Sequence, residues 1–258
     1  MPKKPSGAGS ADRAAAAAPA RRAADRGRYG RLSRERVLAT ALEIVDRDGL
    51  SALSMRGLGA ELGVEAMALY RYADGKDALL DGLVETFFAE LESRLDAAEA
   101  DGDGATEAEA DGDGVAELDR IAGATYAVAL EHPHVVPLLA TRLLSTPLAR
   151  RPAAVLRTDE RILALLLDSG MAADRAVRLH RAFTAWLLGW LMVELRAVVD
   201  DPDEPDPAFR LGLHRLPARE LPRLRECAAL MAERGGKAGL SAGLQALLRA
   251  FGEEAGVQ

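Results

Sequence analysis

Residues 33–80 read SRERVLATALEIVDRDGLSALSMRGLGAELGVEAMALYRYADGKDALL, and their pattern decides the fold. Val37, Leu38, Ala41, Leu42 and Val45 form one apolar face at helical spacing. Ser33 suits the N-cap of this helix and Gly49 its C-terminal stop. Ser54 caps a second, shorter helix carrying Leu58 and Leu62. Gly63-Val64 turns the chain tightly, because glycine accepts a positive φ. A third short helix is expected from Ala66 to Tyr72, broken by Asp74-Gly75. Three helices in so few residues, with a tight turn between the second and third, make a helix-turn-helix arrangement.

The chain continues as helix. Lys76 to about Ala97 carries a buried stripe from Leu79 through Phe87, Phe88 and Leu91 to Leu95. Further helices are expected at Val115 to Glu131, His134 to Thr141, Ala153 to Leu167, Ala173 to Val199, 218–233 and 240–252. In the last, Leu244, Leu247, Leu248 and Phe251 stand at i, i+3, i+4, i+7. The longest helix is apolar on more than one side, so one side can face a partner. No strand pattern is present, and the expected fold class is all-α.

Composition sets the outer limits. The 258 residues suffice for a sizeable core without disulfides or metals. Alanine occurs 51 times and favours helix. The single cysteine, Cys227, excludes an internal disulfide framework, points to a reducing compartment, and is expected to be a buried small hydrophobe. The longest uncharged apolar run, Ala182 to Val193, is about half of a membrane span. No Leu-rich leader precedes the first helix. A cytoplasmic protein without membrane contact is therefore expected.

The net charge of −7 conceals an asymmetry. Residues 1–30 hold seven Lys/Arg against two Asp, and read as a disordered basic arm. Residues 96–119 hold ten Asp/Glu and no Lys or Arg, and 99–114 read as an acidic disordered insertion. Such a distribution permits nucleic-acid binding despite the overall sign. The domains are then the arm at 1–30, the helix-turn-helix at 31–80, and a helical remainder at 81–254.

Two acidic segments invite readings that their details refuse. Residues 109–120 contain an Asp-x-Asp-Gly core, but Arg120 stands where a calcium loop needs a bidentate glutamate. The run DDPDEPDP at 200–207 follows a helix and lacks the second cluster that a magnesium–diphosphate enzyme needs. No phosphate loop, metal-spaced His/Cys set or catalytic triad is present. Neither an enzyme nor a cofactor or metal is expected.

The pattern Gly-Leu-x-x-Leu-Ser at 49–54, Leu-Gly-Val at 62–64, Leu-Tyr at 69–70 and Lys76 ahead of Leu79 resembles the DNA-binding domain of the TetR/AcrR family of bacterial repressors. HPHVVPLLATRLLSTP at 132–147 and the apolar helix at 182–199 are similar to the tetracycline-repressor-like carboxy-terminal domains of that family. The resemblance spans about residues 31–252. It implies that the third helix enters the major groove of double-stranded DNA. Ser54, Arg56, Ala66, Met67, Ala68, Tyr70, Arg71, Tyr72 and Lys76 fall on its DNA-binding positions. Arg56 would reach a base or phosphate, Ala66 to Ala68 would face base edges, and Tyr70, Tyr72 and Lys76 would touch phosphates.

The sequence departs from the family pattern in ways that bear on readout. Ala66, Met67 and Ala68 cannot hydrogen-bond a base, so specificity would lean on Arg56, thymine methyl contacts and DNA shape. Tyr72 replaces a common histidine. The arginines of the basic arm could follow a neighbouring minor groove.

The resemblance further implies a homodimer on a palindromic operator, and a C-terminal pocket whose small-molecule effector releases DNA. Candidate lining residues are Phe87, Phe88, Leu91, His134, Leu138, Arg142, His180, Phe183, Trp186 and Trp190. Leu244, Leu247, Leu248 and Phe251 are the candidate dimer contacts. The fourth helix offers Glu90, Glu92 and Arg94 but no His or Asn, so tetracycline–magnesium recognition is unsupported and a mainly apolar or aromatic effector fits better. The alternatives are a regulator controlled by a partner protein or its own abundance, and, remotely, an all-helical magnesium enzyme.

Overall fold

The computed structural model describes residues 32–100, 110–195, 205, 206, 209 and 212–253. The basic arm, the centre of the acidic insertion and most of the DDPDEPDP run lie outside the described residues. The described residues are helical, with no strand.

Helix α1 spans Arg34–Asp48. The Ser33 hydroxyl accepts from the Arg36 amide, and Gly49 closes the helix at φ 80°. Its buried residues are Val37, Leu38, Ala41, Ile44 and Val45; Leu42 is only half-buried. Helix α2, Met55–Leu62, is capped by Ser54, whose hydroxyl accepts from the Gly57 amide at 3.1 Å. Gly63 turns the chain in the left-handed region, at φ 67°. Gly59 is needed for a different reason, since a Cβ there would lie 2.8 Å from the Val64 carbonyl oxygen. The lack of a side chain lets α2 and the start of α3 meet almost backbone to backbone.

Helix α3 is shorter than expected, Ala66–Leu69. Tyr70 to Ala73 continue as a tightened turn, with the Tyr72 and Ala73 amides both donating to the Leu69 carbonyl. The chain must reverse before Gly75, which leaves no length for another helical turn.

Helix α4, Gly75–Ala100, is the central strut. It packs against α1, against α5 (Ala110–Glu131), against α6 (Val136–Ser145) and against α7 (Ala153–Asp168). It runs past Ala97 into the expected insertion. Acidic groups at a helix C-terminus are unfavourable, but Arg161 donates to Asp96 and Glu99, and Arg120 to Glu99. Helix α5 likewise begins inside the insertion, which leaves 101–109 outside the described residues.

Helix α8, Ala173–Glu194, ends before Val199, and residues 196–199 are not described. The expected helix at 218–233 is two short pieces, α9 (Pro222–Glu226) and α10 (Ala228–Ala232), parted at Cys227. Cys227 is exposed, so it does not serve as a core hydrophobe. Helix α11, Gly236–Glu253, begins earlier than expected and packs on α5 and α8. One buried apolar cluster runs from Val37 in α1 to Leu244 in α11. No described helix is long and apolar enough to cross a membrane.

Candidate functional site

The outer face of α2 and α3 collects the expected DNA-binding positions. Leu69 is fully buried and anchors α3 from below. Met67 points outward, 74% exposed, and Tyr70 is 47% exposed. The exposed methionine offers apolar surface on the outer face of this short helix. Ala66 and Ala68 are half-buried and leave a shallow surface beside it. Arg56, Arg71 and Lys76 are exposed around this surface. Among the described residues, Arg56 and Arg71 have no ion pair, and Lys76 makes only a 3.5 Å contact to the Leu50 carbonyl. Ser54 is committed to capping α2, and Tyr72 packs partly against the core.

The second feature is a cavity of about 90 Å³ between α4, α5, α6, α7 and α8. Phe88, Leu91 and Phe183, all expected, line it together with Ile121, Leu139, Ile162 and Leu187. Five polar residues also line it: Thr125, Arg151, Thr158, Asp159 and Thr184. These were missed by sequence reasoning. Their one signal is threonine recurring on the inner faces of apolar helices. Thr125 and Thr158 are buried and donate to carbonyls four residues back, Ile121 and Ala154.

The other expected lining residues serve elsewhere. Phe87 is buried in the core, packed edge-on to Phe88. Leu138 is buried without lining the cavity. Trp186 and Trp190 lie against α11 and the turn before it, where Gly235, Gly239 and Gly243 leave room for the indoles. Trp190 also meets Tyr126 edge-on. The His180 Nε2 lies 3.1 Å from an Asp159 carboxylate oxygen, behind the cavity wall. Of the expected dimer contacts, Leu244 is 1% exposed and belongs to this chain's own core, while Leu247, Leu248 and Phe251 are half-buried against it.

His134 and Arg142 join the two halves. The His134 Nδ1–H donates to the Val45 carbonyl at 2.9 Å, at the end of α1. Arg142, on α6, donates to Asp77 at 2.5 Å and Asp81 at 3.0 Å, at the start of α4. His132 adds a third tie. Its Nδ1 lies 2.7 Å from Asp46 on α1, and its Nε2 lies 3.0 Å from Glu90 on α4. Both ring nitrogens face carboxylate oxygens, so the ring satisfies both only as the imidazolium. Burial pushes the Glu90 carboxyl up, but hydrogen bonds from Arg94 and His132 outweigh it and hold the group below its ordinary value. Glu90, Glu131 and His132 are close enough to chelate an ion, but Arg94 already bridges the two glutamates at 2.7 and 2.5 Å.

Helix α6 is therefore two-faced. Leu139 and Leu143 look into the cavity, while Arg142 and the preceding His132-Pro133-His134 segment hold the helix-turn-helix. A wider, open groove of about 440 Å³ lies beside this segment, lined by residues that include Leu50, His134, Leu191 and Leu195.

The comparisons agree with this architecture. Residues 37–83 match the family described as bacterial regulatory proteins, tetR family. The chain is 32% identical over 152 residues to the HTH-type transcriptional repressor DrrR1 of Streptomyces coeruleorubidus. That match covers 59% of this chain and only half of DrrR1. A possible TetR family transcriptional regulator from Streptomyces coelicolor A3(2) superposes with a TM-score of 0.66 at 26% identity, over 84% of this chain and 98% of that one. The TetR family protein ActR of Streptomyces coelicolor, solved in complex with actinorhodin, shares the fold, with a TM-score of 0.64 at 22% identity. It covers 87% of this chain and 99% of its own. With residues 37–83 matching the tetR family of bacterial regulatory proteins and an all-helical architecture like that of a TetR family regulator, the chain carries a TetR-type helix-turn-helix domain and resembles TetR family transcriptional regulators over most of its length.

Proposed function

We propose that this protein is a homodimeric, sequence-specific DNA-binding repressor, released from a palindromic operator by a small molecule held in the cavity. The single observation that carries the reading is the two-faced α6, with one side on the cavity and the other tied to α1 and α4. The cavity of about 90 Å³ is smaller than the roughly 300 Å³ of a typical small-molecule site. A ring system enters only if the walls part, which moves Leu139 and Leu143 and the helix that carries Arg142. Filling thus distinguishes two conformations, the requirement for a ligand to shift an equilibrium.

On the DNA side, Arg56 and Arg71 supply charge and donors, and Met67 supplies apolar contact to thymine methyls. Tyr70, Tyr72 and Lys76 are assigned to phosphates, and Ala66 and Ala68 allow close approach to base edges. Dimerisation through Leu247, Leu248 and Phe251 would set two such surfaces about one DNA turn apart. ActR, which shares the fold and was solved with actinorhodin, supports a ligand inside this architecture.

Selection from a random duplex pool at about 150 mM salt tests the reading, since weak electrostatic binding is then partly suppressed. Enrichment of a palindrome with half-sites about one turn apart is expected. Failure to enrich any sequence would overturn it.

A further inference from the structure

Resting on the cavity as the effector site, we infer that the effector carries an anionic group, and that Arg151 is the side chain that receives it. Among the described residues, Arg151 is the one cation lining the cavity, and its side chain is about three-quarters buried. Its two hydrogen bonds are both long, 3.4 Å to the Asp159 carboxylate and 3.4 Å to the Thr146 carbonyl. Arg142, Arg157 and Arg161 each close on a carboxylate at 2.5–3.0 Å, whereas Arg151, like the exposed Arg47 toward Glu61 at 3.4 Å, stays long. A guanidinium has five N–H donors in a planar fork suited to a carboxylate. Arg151 therefore holds donors in reserve where water is scarce.

Apart from the neutral hydroxyl of Thr184, the other polar groups of the wall have the opposite character. Thr125 and Thr158 have already spent their hydroxyl protons on their own helices. Asp159 has both oxygens engaged, one by His180 and one by Arg151. A cationic ligand would have to compete with these two groups for Asp159. An anion has only to draw Arg151 the short distance off a weak contact, and charge-assisted bidentate pairs are the strong ones.

Position adds to the argument. Arg151 and Leu143 also line an outer cleft containing Asp81, Arg142 and Arg150. The guanidinium thus stands in the wall between that cleft and the interior. A ligand entering past it would bring its rings among Phe88, Leu91 and Phe183 and leave its charge at the wall. Leu143 and Arg142, neighbours on α6, would then feel the ligand directly.

The test uses 2-naphthoate and its neutral counterpart 2-naphthylmethanol, titrated calorimetrically into the full chain. Naphthoate should bind at least tenfold tighter than the alcohol. Arg151→Met should bring the two to the same level while leaving alcohol binding intact, which also shows that the variant is folded. Asp159→Asn should tighten naphthoate several-fold by releasing Arg151, a gain that a purely structural ion pair would not give. Leu188→Trp, on the half-buried cavity wall, should block both compounds. Equal binding of the two compounds, blocked by Leu188→Trp but unmoved by Arg151→Met, would overturn the anion inference and leave the cavity reading standing. No binding of either, or binding that ignores Leu188→Trp, would overturn both.

Discussion

The two halves of this molecule use apolar surface in different ways. In residues 33–74 the core is small, anchored by the fully buried Leu58 and Leu69, and a methionine is left outside on α3. In the C-terminal half the outer faces carry ion pairs beside exposed apolar residues such as Val193 and Leu230, and apolar space is also left inside, between α4 and α8. On the proposed function, one half would read DNA by presenting a shape, and the other would respond by being occupied. The continuous apolar cluster joins them, and a polar tie is added to it: His132, His134 and Arg142 span the boundary. On that reading, these directional bonds would carry a displacement of α6 to α1 and α4.

The comparison breaks most sharply at Leu69. Leu69→Ala should cost about 3 kcal/mol, the range for a fully buried leucine. DNA binding should be lost while naphthoate still titrates into the cavity. Loss of both would show that the halves do not hold their structures separately.

Gly59→Ala gives a smaller effect of unexpected sign. Helix propensity alone predicts a gain of about 1 kcal/mol. The 2.8 Å approach to the Val64 carbonyl predicts instead a loss of about 1 to 2 kcal/mol, visible as a lower denaturant midpoint at unchanged slope.

Arg142→Ala probes the joint. Its acidic partners are largely exposed, so the stability cost should stay below about 1 kcal/mol. The expected signature is faster amide exchange at the start of α4 without change in the rest of that helix. Uniform exchange along α4 would remove Arg142 from the coupling route.

Glu90→Gln should have the smallest effect, confined to acid. A carboxyl held low in the folded state adds stability above its unfolded value, near pH 4.3, and loses it as pH falls through the lower folded value. Thermal stability should therefore fall more steeply below about pH 4.3 in the wild type than in the variant. Parallel acid limbs would show that Glu90 adds nothing to the tie with His132.

The halves also differed in legibility. Ser33, Gly49, Ser54 and Gly63 act on residues within a turn of themselves, so caps and turns were readable from spacing. The close approach at Gly59 was not, because it depends on where α3 lies. The cavity depends on how α8 is rotated. That helix is apolar on more than one side, and periodicity could not say whether Trp186 or Leu187 faces inward. The glycines at 235, 239 and 243, four apart, were the unread signal that the indoles pack on that side. Arg151 was hidden for another reason: an arginine beside Arg150 and Pro152 reads as surface until the fold turns it in.

The central claim is that the outward face of α2 and α3 discriminates DNA sequence. It is tested most directly by fluorescence anisotropy, comparing the selected palindrome with a scrambled duplex at about 150 mM salt. The wild type should prefer the palindrome by roughly a hundredfold or more. Replacing Arg56 and Met67 together by alanine should cut that preference by roughly tenfold or more while weak binding to the scrambled duplex persists. An unchanged preference in the double variant would contradict the account.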